Sequence, residues 1–176
     1  MKVKEVNPEV FITCEDITKV NAQDLEFLKR KASSNERRRV RLCAHKDIQD
    51  QVHEMLIVHS RDAYVRPHKH INKSESLHVI EGRAYAVIFD EAGGISEVIQ
   101  MGESGSGLTF YYRIAESVYH MLLITSDFFV FHEAVQGPFD KSKNIFASWS
   151  PEEGNSDAVN VFKRNLEKKL DVKEVR

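Results

Sequence analysis

Cysteine is almost absent from this chain: Cys14 and Cys43 are the two present in 176 residues, and they stand in no motif with metal-ligand or framework spacing. A chain of this length buries roughly 70% of the surface it exposes when unfolded, so it folds without such staples. A small disulfide scaffold and general disorder are both excluded, and a reducing, cytoplasmic setting is expected. Charge of one sign is missing too, with 25 Lys+Arg against 27 Asp+Glu and a net charge of −2. No general basic field exists to hold a polyphosphate backbone, so no nucleic-acid partner is expected. The one basic cluster, Arg37-Arg38-Arg39-Val40-Arg41, reads as a solvated turn entering a strand, with an anionic ligand as the alternative. Long apolar runs are lacking, and Met1–Pro8 has no apolar signal-peptide core, so neither a membrane span nor a leader is expected. There is no internal repeat and no low-complexity segment.

What is present is a succession of short β-rich runs. After the strand-like Val10–Thr13, Asn21 precedes Ala22–Lys31, where Leu25 and Leu28 mark one short amphipathic helix. The runs Arg39–Ala44, Val52–His59, Tyr64–His70, Ser76–Ile80, Ala84–Asp90, Ser96–Gln100, Thr109–Tyr112, Val118–Thr125 and Phe128–Val135 then follow between turn signals. Short strands at near-regular spacing without intervening helices indicate an antiparallel sandwich or barrel. The chain loosens after Gly137-Pro138, and Ser156-Asp157 opens a C-terminal helix whose Val159, Phe162, Leu166 and Leu170 form a packing stripe. These readings divide the chain into an N-terminal strand and helix extension (1–37), a β-barrel (38–150) and a helical tail (151–176).

Three of the eight histidines carry chemical information. His68 and His70, two apart on a strand, project from one face, and Tyr64 and Arg66 share that parity. Glu75 opens the next strand after the turn at Asn72-Lys73-Ser74, and Gly82 makes the following turn. Two imidazoles and a carboxylate converging across strands suit a divalent transition metal with positions left open, and His120 on a later strand is available as a fourth ligand. For the histidine pair alone, two solvated surface side chains remain the alternative.

The run His68-Lys-His70, four residues, Glu75, six residues, Gly82 resembles the first motif of the cupin superfamily, G-x5-HxH-x3-4-E-x6-G, with Asp62 at the leading glycine. Ile114–His120 resembles the second motif, G-x5-P-x-G-x2-H-x3-N. Thr109, Ala115, Ser117 and Ile124 replace its glycine, proline, second glycine and asparagine, and His120 is kept. Three further segments, Tyr64–His70, Val130–Phe139 and Phe146–Gly154, look like the WbuC-type cupin-fold metalloproteins of bacterial surface-polysaccharide gene clusters. The resemblance implies a mainly β fold, a double-stranded β-helix (jelly-roll, cupin) barrel with short N- and C-terminal helices. It also implies one divalent metal, Fe, Mn, Zn, Ni or Co, held by His68, His70, Glu75 and His120.

Around that centre Arg66 is a candidate clamp for a carboxylate or phosphate, against a barrel-mouth salt bridge. Tyr64 joins it as a substrate-binding candidate. Tyr112 is a donor or acid, against core packing. His78 is expected on the opposite face from Glu75, and His132 as a hydrogen-bonded core residue. The Trp149–Gly154 loop reads equally as a cover over the barrel or as a fixed structural segment. The functional expectation is a metal-dependent enzyme acting on a small polar molecule in the barrel, sugar-like or anionic, with isomerase or epimerase chemistry preferred. A non-catalytic ligand-binding module and an iron-dependent oxygenase are the alternatives. A homodimer is expected, with Val10–Thr13 available to add to a neighbour's sheet.

Overall fold

The computed structural model describes residues 1–172, so the last four residues of the helical tail lie outside it. The order of elements is β1 (Val3–Asn7), β2 (Val10–Thr13), α1 (Ala22–Ser34), β3 (Arg39–Cys43), β4 (Val52–Ser60), β5 (His68–His70), β6 (Glu75–Glu81), β7 (Arg83–Phe89), β8 (Ile95–Gly102), β9 (Tyr111–Ile114), β10 (Tyr119–Ile124), β11 (Phe128–Gln136), β12 (Asn144–Phe146) and α2 (Ser156–Lys169). They form a seven-stranded sheet, β1-β2-β3-β4-β11-β6-β9, and a five-stranded sheet, β12-β5-β10-β7-β8. Every pairing is antiparallel except β2 with β3. The result is the expected mainly β jelly roll with two short helices.

Alternation along the strands sorts side chains into an interior and two covered outer faces. Met55, Ile57, Leu77, Val79, Phe129 and Phe131 from the larger sheet meet Ala84, Ala86, Met101 and Ile124 from the smaller one inside the barrel. On the outside of the larger sheet, Leu28 and Ala32 of α1 pack over Phe11, Val40, Leu42, Val58 and Val130. On the outside of the smaller sheet, Val159 and Leu166 of α2 cover Val87, Phe89, Met121 and Leu123. The α2 stripe therefore packs on its own barrel. Asn21 starts α1 through a capping box, its side chain accepting from the Gln23 and Asp24 amides while Asp24 accepts from the Asn21 amide. Gly82, between β6 and β7, has φ +90, and a Cβ there would lie 2.1 Å from the Phe128 carbonyl oxygen. That turn admits glycine alone.

Several local expectations change. The strand expected over Tyr64–His70 shortens to His68–His70, because residues 64–67 follow the C-terminal loop instead: the Tyr64 hydroxyl donates to the Pro151 carbonyl at 3.1 Å. The strand expected at Thr109–Tyr112 runs two residues later. β1 and β12 were not expected. β2 is taken on both sides by β1 and β3, which leaves β1 at the sheet edge. The arginine cluster is the expected turn entering a strand, with Arg37 and Arg38 exposed before β3, and Arg37 and Arg39 both pair with Glu9 and with Glu153. Those pairs and the Tyr64 hydrogen bond tie the 149–154 loop down as a fixed segment.

Candidate metal centre

His68 on β5 stands directly across from His120 on β10, and His70 on the same strand lies across from Asn144 on β12. Pairing and parity thus bring three imidazoles to one place, where their ligating nitrogens lie within 4.8 Å of one another. Glu75, at the start of β6 on the facing sheet, reaches across: its Oε2 is 3.0 Å from His70 Nε2 and its Oε1 is 2.9 Å from His120 Nε2. Glu75 and His120 are buried, at 5% and 6% exposure.

The far side of each ring is anchored. His68 Nδ1 donates to the Arg66 carbonyl at 2.9 Å, and His120 Nδ1 to the Val118 carbonyl at 3.0 Å. A carbonyl only accepts, so both rings carry a proton on Nδ1. His68 Nε2 then presents a lone pair to the centre, and His120 Nε2 donates to Glu75 here and presents its lone pair once that proton is lost to an ion. His70 Nδ1 faces the Asn144 side-chain oxygen at 2.8 Å. Fixing the tautomer through the second nitrogen is the arrangement that metal-ligating histidines share. Donors at ~2.1 Å from one ion stand roughly 3 to 4 Å apart, a span these nitrogens reach with small side-chain movement. Three imidazoles and one carboxylate therefore fit a divalent transition metal with coordination positions to spare.

The charges agree with that donor set. Burial, reinforced by His120, pushes His68 down to about 3, so its imidazole is neutral at physiological pH. Burial also opposes charging His70 and His120, but the Glu75 carboxylate outweighs it and raises both. Burial likewise disfavours an ionised Glu75, yet His120 and His70 hold it well below the usual carboxylate range.

Of the substrate-contact candidates, Tyr112 lines the cavity beside the cluster, while Tyr64 and Arg66 do not. Arg66 Nε donates to Ser150 Oγ at 3.1 Å and its terminal nitrogen to the Ala147 carbonyl at 2.8 Å, so the guanidinium holds the C-terminal segment. The Tyr64 ring packs edge-on to Phe162 of α2 on the outer face. Parity alone misplaced them, because Pro67 and the loop contacts break the strand before residue 68. His78 faces outward against Phe110. His132 is not a core residue: it sits across from His78 on the outer face and is partly exposed.

Its neighbour Glu133 is the inward residue, on the parity of Phe129, Phe131 and Val135 in β11. An acid on the apolar parity of a strand is a readable signal, and it was missed, as was Asn144. Glu133 keeps partial exposure, lining a cavity of about 1080 Å³ that runs from the histidines to the inner face of β2 and β3. Burial, then the nearby Glu75 charge, pushes its carboxyl up to about 7. His59, on the same cavity wall, is pushed down to about 3 by burial and by Arg39.

A family described as a domain of unknown function (DUF6016) matches residues 20–101, a stretch holding His68, His70 and Glu75 but ending before His120. No curated protein matches the chain. Among solved structures, an oxalate oxidase in complex with the substrate analogue glycolate has 12% identity and a TM-score of 0.51, covering 81% of this chain and 70% of that one. A Shewanella oneidensis protein has 8% identity and a TM-score of 0.50, covering 60% of this chain and 72% of its own. The capsular polysaccharide assembling protein CapF from Staphylococcus aureus has 20% identity and a TM-score of 0.45 over 56% of this chain, which spans 27% of CapF. The fold is that of the cupins. Likeness at this level of identity carries the architecture and not the chemistry.

Proposed function

We propose that this chain is a metal-dependent enzyme of the cupin fold, acting on a small polar substrate, sugar-like or anionic, with isomerase- or epimerase-type chemistry ahead of oxygenation. The observation that carries the reading is the anchoring of the three histidines: their Nδ1 atoms are held by Arg66, Asn144 and Val118, so Nε2 is the atom offered to an ion. His68, His70, Glu75 and His120 would hold one divalent transition metal, Fe, Mn, Zn, Ni or Co. Such an ion polarises a carbonyl or hydroxyl oxygen as a Lewis acid. Tyr112, in the cavity wall, is the substrate-contact residue of this proposal.

The WbuC-type similarity, and with it a cytoplasmic role beside surface-polysaccharide biosynthesis, belongs to the same proposal. Two of its three segments meet in space, through Tyr64 with Pro151, Arg66 with Ala147 and Ser150, and His68 with Phe146. We extend the proposal to a symmetric homodimer, since β1 leaves a sheet edge available for pairing. Sedimentation velocity that finds only monomer at micromolar concentration removes that part.

Elemental analysis of untagged protein, purified without added metal or chelator beside His68→Ala, tests the centre. Near-stoichiometric metal lost in the variant is the expected result. Absence of metal, with failure to reload, overturns the enzyme reading and leaves a ligand-binding barrel.

A further inference from the structure

A continuous row of inward side chains crosses the larger sheet: Cys43, Met55, Glu133, Leu77 and Tyr112 are successive cross-strand partners on β3, β4, β11, β6 and β9. Glu133 is the one carboxyl in that row. The next row toward the histidines runs His53, Val135, Glu75 and Ile114. Glu133 is therefore the diagonal neighbour of Glu75 on one face, with backbone positions roughly 7–8 Å apart. Glu133, Glu75 and the three histidines line one cavity of about 1080 Å³, which has room for a small ligand against both the histidines and the Glu133 carboxyl. Among the described residues Glu133 makes no side-chain hydrogen bond and no ion pair, and it keeps partial exposure to the cavity, so its carboxyl is open to a ligand there.

We propose that Glu133 is the proton-transfer residue of this site, facing the open side of the metal centre and donating a hydrogen bond or proton to a small anionic or hydroxylated ligand held there. The step balances by itself: the Oε–H bond breaks, the proton passes to the ligand's oxygen or nitrogen, and the carboxylate takes it back on the reverse step. The proposal rests on the metal reading above and gives that site its ligand class, small molecules whose far atom accepts a proton. The carboxyl's raised pKa, near neutrality, suits it to both directions.

The groups around Glu133 are few enough to assign a pH effect. β6 brings Glu75, β9 brings Tyr112, and β5 and β10 bring the three histidines. β3 brings Cys43 and Arg41, β4 brings His53 and His59, and β11 itself contributes no other charge on this face. Tyr112 and Cys43 are both raised by burial, and His59 is held neutral.

The test uses azide on the cobalt(II)-loaded protein, with Glu133→Gln and Glu133→Ala. Azide affinity, read from the cobalt spectrum, is expected to be about tenfold higher near pH 6 than near pH 8.5 in the unaltered protein. Glu133→Gln, a permanent neutral donor, is expected to keep the high affinity at both values. Glu133→Ala is expected to lose it at both. Identical pH profiles in the unaltered protein and Glu133→Gln overturn the proposal while leaving the metal site standing. Absence of a cobalt spectrum overturns both together, so the two failures are distinct. Infrared spectra of the unaltered protein need no variant: azide is expected to shift a protonated-carboxyl band, and an unmoved band counts against Glu133.

Discussion

Asn144 shows how much a single side chain contributes to the histidine cluster. Its oxygen orients His70 from β12, the three-residue strand that also flanks β5 and sets Phe146 against His68. Asn144→Ala is expected to lower metal affinity by about 10- to 100-fold, measured by chelator competition, with little change in thermal midpoint. His59 makes the opposite kind of contribution. Its imidazole stays neutral when folded, down to about 3, and is free to charge when unfolded. The unfolded state thus binds more protons, and stability falls as pH drops from about 6.5 toward 3 while staying flat above 6.5. In the metal-free protein, His59→Gln is expected to remove about 2 kcal/mol of the loss between pH 6.5 and 4.5, read from denaturant midpoints. At this scale the sequence was legible where a motif held residues at set spacing, as with His68, His70 and Glu75. It was opaque for Tyr64 and Arg66, whose orientation depends on partners 80 or more positions away. Glu133 is an acid on the inward, apolar parity of β11, and its neighbour His132 takes the outer face across from His78.

Among the elements, α1 shows a helix held by its buried stripe. Leu28 is fully buried beneath it against the larger sheet. Leu28→Ala is expected to cost about 2–5 kcal/mol in chemical denaturation, with metal stoichiometry unchanged because the helix lies on the far side of the sheet from the cluster. The elements read from sequence were those with their own pattern: the α1 cap, the α2 stripe and the alternating strands of the barrel. β1 has four of its five residues exposed and no alternation, so only its pairing with β2 makes it a strand. β12 is likewise defined by β5. The shift in β9 has a similar origin, for Tyr112 enters the barrel opposite Leu77 and sets the register, while Phe110 and Tyr111 are exposed.

At the scale of the whole molecule, chain ends far apart in sequence close the structure. Glu153 receives Arg37 and Arg39 together with the Arg66 amide, and α2 seals the outer face of the smaller sheet. A chain ending at residue 150 is expected to expose Val87, Phe89, Met121 and Leu123 and to aggregate, which light scattering on expression would detect. No helix among the described residues is long and apolar enough to cross a membrane. The barrel's least secured piece is β5: three residues, joined to β10 by the single pair His68 with His120 and bounded on its other side by the equally short β12. Such a strand opens without the rest of the molecule unfolding, and its amides are then the first in the barrel to take up deuterium. An ion bound to His68 and His70 on one side and Glu75 on the other would clasp that strand to the opposite sheet. Mass spectrometry of deuterium uptake is expected to show residues 66–72 slowed on metal loading while β4 and β11 stay unchanged, so that occupancy of the centre is felt as rigidity at one flank of the barrel.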